Sequence, residues 1–96
     1  MAKFVCILND EKKENLTEDL VKSHIEHLKN LKRNKILFIC GLLKNEGGML
    51  ILDVKSYEDA EAHILRDPLI VNNCYGNYYI YELIEANEEN NYLLDN

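Results

Sequence analysis

The side chains best equipped to move protons in this chain are His24, His27, His63, the Asp67 carboxylate before the single proline, and the tyrosines at 75, 78, 79 and 81. His24 has the most telling position. At about 100° per residue, a helix from residue 16 to about residue 34 gathers Leu20, Val21, Ile25, Leu28 and Leu31 on one arc. His24 projects inside that arc, between Leu28 and Leu31. Lys22, Ser23, Glu26, Lys29, Asn30 and Arg33 take the opposite side. An inward imidazole needs a partner for its ring nitrogens, because burying an unpaired polar group is costly. Imidazole also titrates near neutrality, which suits it to general acid–base work. Two readings stand: a core histidine satisfied by a carbonyl, or the floor of a site.

A contact with Asp67 is geometrically plausible, although sequence alone does not show it. Asp67 falls at the end of a second helix, at about the azimuth of Ala60, and so can face the same layer. A carboxylate beside an imidazole fixes its tautomer and makes the ring a better base. The plain alternative is that Asp67-Pro68 ends a helix and starts a turn. His27 lies at the edge of the apolar arc, either at the mouth of the same cavity or half exposed. His63 falls between Asp59 and Arg66 on the outer side of its helix and reads as solvated. Tyr78 has the opposite strand parity to Tyr79 and Tyr81, so these rings cannot all face one pocket. Tyr78 and Tyr79 are pocket candidates beside a packing role.

Histidines on such different faces do not make a multi-His metal site, and none is expected. Cys6, Cys40 and Cys74 are odd in number, widely spaced and without a CxxC pair. They read as reduced, strand-buried thiols. Cys74 has no adjacent basic residue to activate it. Gly47-Gly48 lacks the strand–GxGxxG–helix context of a nucleotide site, so no cofactor is expected.

The elements that must position these residues follow from pattern. Residues 3–9, 36–41 (extending to 43), 49–54 and 75–84 read as strands. Asn15 or Thr17 can cap the first helix, with Glu18 and Asp19 in its first turn and Lys32, Arg33 and Lys35 at its end. Residues 44–48 form a turn, and Ser56 caps the second helix. Residues 69–73 make a connection of at most one helical turn. The order β-α-β-β-α-β predicts an α+β, ferredoxin-like fold. Its strands are apolar at both parities, as in Phe4–Leu8, Ile36–Cys40 and Met49–Leu52. A sheet with helices on one face should alternate instead. The second face therefore needs a cover, and at 96 residues a second copy is the economical one. A homodimer through the sheet face is expected.

Eleven basic against seventeen acidic residues give a net charge of −6. That argues against nucleic acid or an anionic membrane as partner. No apolar run approaches the roughly 20 residues of a membrane span. The first residues lack the order of a signal peptide, so a cytoplasmic location is expected. Residues 1–85 read as one domain and 86–96 as an acidic, Asn-rich tail prone to fray.

Several motifs in order carry a resemblance. They are His24-Ile25-Glu26-His27-Leu28, a strand ending in Cys40-Gly41, the paired-glycine turn, Ser56-Tyr57-Glu58-Asp59-Ala60 opening a helix, and Asp67-Pro68. Together they resemble the YciI-like (YCII-related) family over residues 3 to about 85. The resemblance implies a dimeric α+β barrel of two facing ferredoxin-like sheets. It also implies a pocket in which a His and an Asp, here His24 and Asp67, form the active-site pair. Elimination of chloride from chlorinated hydroquinones is one precedent among similar proteins. Two positions depart from the pattern. Leu42 stands where a Pro is common, and Val21 stands where many members carry Arg, which removes a fixed bidentate anion donor. The expectation is an enzyme that uses His24 and Asp67 for elimination, isomerisation or hydrolysis of a small, partly apolar or cyclic metabolite. The alternative is a non-catalytic ligand-binding or regulatory dimer.

Overall fold

Local signals place the elements of the computed structural model, which describes residues 1–94. Strand β1 runs Ala2–Glu11, helix α1 Glu18–Arg33, β2 Leu37–Leu43 and β3 Gly47–Val54. Helix α2 runs Tyr57–Leu65, α3 Pro68–Val71 and β4 Tyr75–Leu83. Thr17 caps α1, its hydroxyl accepting from the Leu20 amide at 3.2 Å. Glu18 and Asp19 in the first turn and Lys32 and Arg33 in the last complement the helix dipole. Ser56 caps α2 through the Asp59 amide. That helix ends at Leu65, before Asp67, which opens α3 as its cap. Among the described residues, no helix is long and apolar enough to cross a membrane.

The four strands form one antiparallel sheet in the order β2-β3-β1-β4, the ferredoxin-like arrangement. Phe4, Cys6 and Leu8 of β1 and Leu50, Leu52 and Val54 of β3 face the helices. They close the core with Leu31, Leu37, Ala60 and Ile64. The intervening residues form the other face. There Val5 stands opposite Ile51 and Tyr81, Ile7 opposite Met49 and Tyr79, and Ile39 opposite Ile51. Tyr79, Tyr81 and Ile39 are exposed on it. Both faces of the sheet are thus apolar, as the strand sequences required.

Helix α2 packs over β1, β3 and β4, whereas α1 leans on α3 and β2. Leu31 is the only residue of α1 that is buried. Ile25, within the apolar arc of the sequence, is 43% exposed. The N-terminal half of α1 therefore stands off the sheet, and this gap is what creates a cavity. The cysteines divide as well. Cys6 and Cys74 are buried, but Cys40 is exposed because β2 is an edge strand.

One irregularity redirects side chains toward that gap. Asp10 adopts a left-handed conformation, φ 60°, between Asn9 opposite Asn77 and Glu11 opposite Tyr75. Gly76 lies across from it, and a Cβ there would collide with the Asp10 carboxylate. Beyond this point Glu11 and Tyr75, which simple alternation assigns to the open face, line a cavity with His24. The tail turns on itself after β4. Asn87 and Asn90 exchange side-chain-to-amide hydrogen bonds at 3.0 Å.

Candidate active site

Asp67 is held by the sequence around it. The residue before a proline is pushed out of the helical region, and Asp67 is extended, φ −64° and ψ 126°. Pro68 at the first helical position costs no hydrogen bond. Asp67 Oδ1 accepts from the Leu69 amide at 2.9 Å. The side chain is completely buried, so its charge needs more than one donor. His24 supplies it. His24 Nδ1 lies 2.9 Å from Oδ1 and 2.8 Å from Oδ2 of Asp67. With the carboxylate ionised, Nδ1 must carry the shared proton, which assigns the lone pair to Nε2. Nε2 makes no hydrogen bond to the described residues.

His24 lines two adjoining cavities. The larger, about 410 Å³, is walled by Leu8, Ile25, Leu28, Met49 and Leu50, with Cys40 and Tyr75. The smaller, about 220 Å³, adds Glu11, Leu16, Val21, Leu69 and Cys74. His24, Leu42 and Tyr75 belong to both. A more open polar cleft of about 970 Å³ lies between the end of β1 and the β2–β3 turn. It contains neither His24 nor Asp67. Among the described residues no group of three His, Cys, Asp or Glu side chains is arranged to hold a metal ion.

The other sequence candidates lie elsewhere. His27 lines neither cavity at His24, because its Nε2 donates to the His63 carbonyl at 3.0 Å and ties α1 to α2. His63 is accordingly half-buried rather than solvated. Burial, then Arg66 and His27, lower its pKa. Tyr78 donates to Glu61 Oε2 at 2.9 Å, under α2 and away from His24. That bond, then burial, raises its pKa. Tyr79 is 44% exposed on the open face.

The tyrosine that does reach the site is Tyr75. Burial, then the charges of Glu11 and Asp67 and neighbouring Cys74, raise its pKa and keep it a phenol. Only the glycine at 76 hinted in the sequence that strand parity would break there. Cys74 is also raised, by burial and then by Asp67 and Glu11. It remains a thiol and is no nucleophile.

These features coincide with a family assignment. The YCII-related domain model matches residues 2–84. The chain belongs to the YCII-related domain family. No curated protein matches it in sequence. The YCII-related fold is similar to a solved 5-chloro-2-hydroxyhydroquinone dehydrochlorinase from Burkholderia phenoliruptrix AC1100, in complex with 2,5-dihydroxybenzoquinone. The TM-score is 0.71 at 13% identity, over 93% of this chain and 98% of that one. At this identity the likeness is one of fold. In this YCII-related domain the matched region ends at residue 84, so the Asn-rich tail lies beyond it.

Proposed function

We propose that this YCII-related protein is a small-molecule enzyme in which His24, oriented by Asp67, serves as general base and acid. One observation carries the reading. The Nδ1 of His24 is engaged by a fully buried carboxylate, while its Nε2 has no hydrogen-bond partner among the described residues and the ring lines a largely apolar cavity. Nε2 takes a proton from a ligand carbon or oxygen. The imidazolium that results is stabilised by Asp67. In an elimination of chloride the C–Cl bond breaks, chloride leaves as the anion with the bonding pair, and the imidazolium gives its proton to solvent; in an isomerisation the proton goes to another ligand atom. With water as the proton donor, the same base supports hydrolysis. Apolar walls exclude water and strengthen the His24–Asp67 interaction.

The dehydrochlorinase of similar fold makes elimination the first chemistry to test. Chloride release from chlorinated hydroxyhydroquinones, alongside proton exchange in enolisable rings, is the assay. We expect His24→Ala to lose at least about a hundredfold in kcat/KM, and Asp67→Asn to lose less. Activity of His24→Ala within about threefold of wild type would sink this reading.

We also propose that the working form is a homodimer through the open sheet face. Support comes from the contiguous apolar patch of Val5, Ile7, Ile39, Ile51, Tyr79 and Tyr81. Patches of this kind mark interfaces. Light scattering at micromolar concentration should give twice the chain mass. Tyr81→Glu should halve it, and a monomeric wild type removes the proposal.

A further inference from the structure

Tyr75 and Glu11 are the polar groups of the cavity beside His24 that the acid–base reading leaves without a role. Tyr75 stands with His24 and Leu42 where the two compartments meet. Its hydroxyl lies over Gly48 of β3, where an added Cβ would be 3.6 Å from the oxygen. The hydroxyl makes no hydrogen bond to the described residues. Burial and the nearby carboxylates keep it protonated, and so a donor. Charge in the lining is one-sided. Among the described residues no Lys or Arg lines either compartment; Glu11 does, and the imidazole of His24 is already engaged by Asp67. A ligand carboxylate would find no cationic anchor and would meet the like charge of Glu11. The larger compartment offers leucine, isoleucine and methionine walls suited to the faces of a ring.

We propose that Tyr75 is a ligand-binding donor and that, with Glu11, it makes the site select an uncharged ring bearing a hydroxyl or carbonyl oxygen over a ring bearing a carboxylate. The ligand oxygen accepts from the Tyr75 hydroxyl, and the ring fills the apolar compartment beside His24. This rests on the cavity at His24 being the site, but it concerns binding and not turnover.

The test is an NMR titration of the labelled protein with phenol, benzoate and toluene, following the His24 and Tyr75 ring resonances. Phenol should shift both rings saturably, with benzoate at least about tenfold weaker. Glu11→Gln should narrow that gap by about threefold or more. Tyr75→Phe should weaken phenol by about fivefold or more, the worth of one hydrogen bond, and leave toluene unchanged. Three results would each overturn the proposal. Benzoate could bind within about twofold of phenol in the wild type; Tyr75→Phe could leave phenol unaffected or weaken toluene equally; or no ring could shift saturably with phenol. Loss of turnover in His24→Ala with indifference of phenol to Tyr75→Phe would remove this inference and leave the acid–base reading intact.

Discussion

The Nδ1 of His24 lies 2.8 Å from the Oδ2 of Asp67, across 43 residues of sequence. The contact fastens α1 to the cap of α3 and gives a fully buried carboxylate its second donor. Because Asp67 accepts at both oxygens from Nδ1, the tautomer of His24 is set by a group that cannot turn away without losing its own cap.

The pair is expected to show in spectra and in stability. Long-range nitrogen–proton correlation should report the Nδ1-protonated tautomer of His24 at neutral pH, and a mixture in Asp67→Asn. His24→Ala should lose about 2–4 kcal/mol in denaturant unfolding, because Asp67 is left buried with the Leu69 amide alone. A loss below about 0.5 kcal/mol would mean that the pair does not form in solution.

Gly47 should resist substitution. It sits at φ 122°, a conformation L side chains rarely adopt, and an added Cβ would run into the Leu8 carbonyl. Gly47→Ala is expected to cost about 2 kcal/mol or more. Neighbouring Gly48 has only ordinary contact distances at its Cβ position, the nearest being 3.6 Å to Tyr75. Gly48→Ala should cost less, and equal losses in paired thermal melts would contradict the geometry.

Thiol reactivity should separate the cysteines. Burial pushes the Cys6 thiol up to about 12, and Cys74 is raised by burial and by Asp67 and Glu11. Cys40 is exposed and lines the larger cavity. A disulfide reagent at neutral pH should label one thiol per native chain quickly, at Cys40, and the others only on unfolding. Mass mapping that finds Cys74 labelled as fast as Cys40 would refute this.

His63 should give the fold an acid sensitivity. Its folded pKa lies below the 6.5 of the free side chain, mainly through burial and then through Arg66 and His27. Between those two values the unfolded chain binds the proton and the folded chain does not, so stability rises with pH across that window. Stability present above about pH 6.5 is lost as the pH falls toward the folded value. His63→Gln keeps the backbone carbonyl that accepts from His27. Its denaturation midpoint should fall less than that of the wild type between about pH 7.5 and 5. An unchanged difference would show that other groups carry the acid sensitivity.

The sequence by itself determined the order of elements, the cap of α2, and the two-sided apolarity of the sheet, and it narrowed the cap of α1 to Asn15 or Thr17, of which the structure uses Thr17. Helical periodicity, caps and continuous apolar runs in strands are properties of a few consecutive residues, and they can be read without knowledge of the fold. It also singled out His24, since a polar residue inside an apolar arc stands out without knowledge of its partner, whereas Asp67 was marked by the family resemblance. Tertiary structure alone decided what surrounds them. His27 and His63 meet because two helices lie side by side, and no local pattern encodes that approach. Cys40 is exposed because β2 falls at the sheet edge, which depends on strand order rather than strand composition. Tyr75 reaches the cavity in place of Tyr78 or Tyr79 because Asp10 turns left-handed opposite Gly76. Counting alternate residues fails past a point where one backbone angle changes sign, and that angle is held by contacts between two strands more than sixty residues apart in the chain.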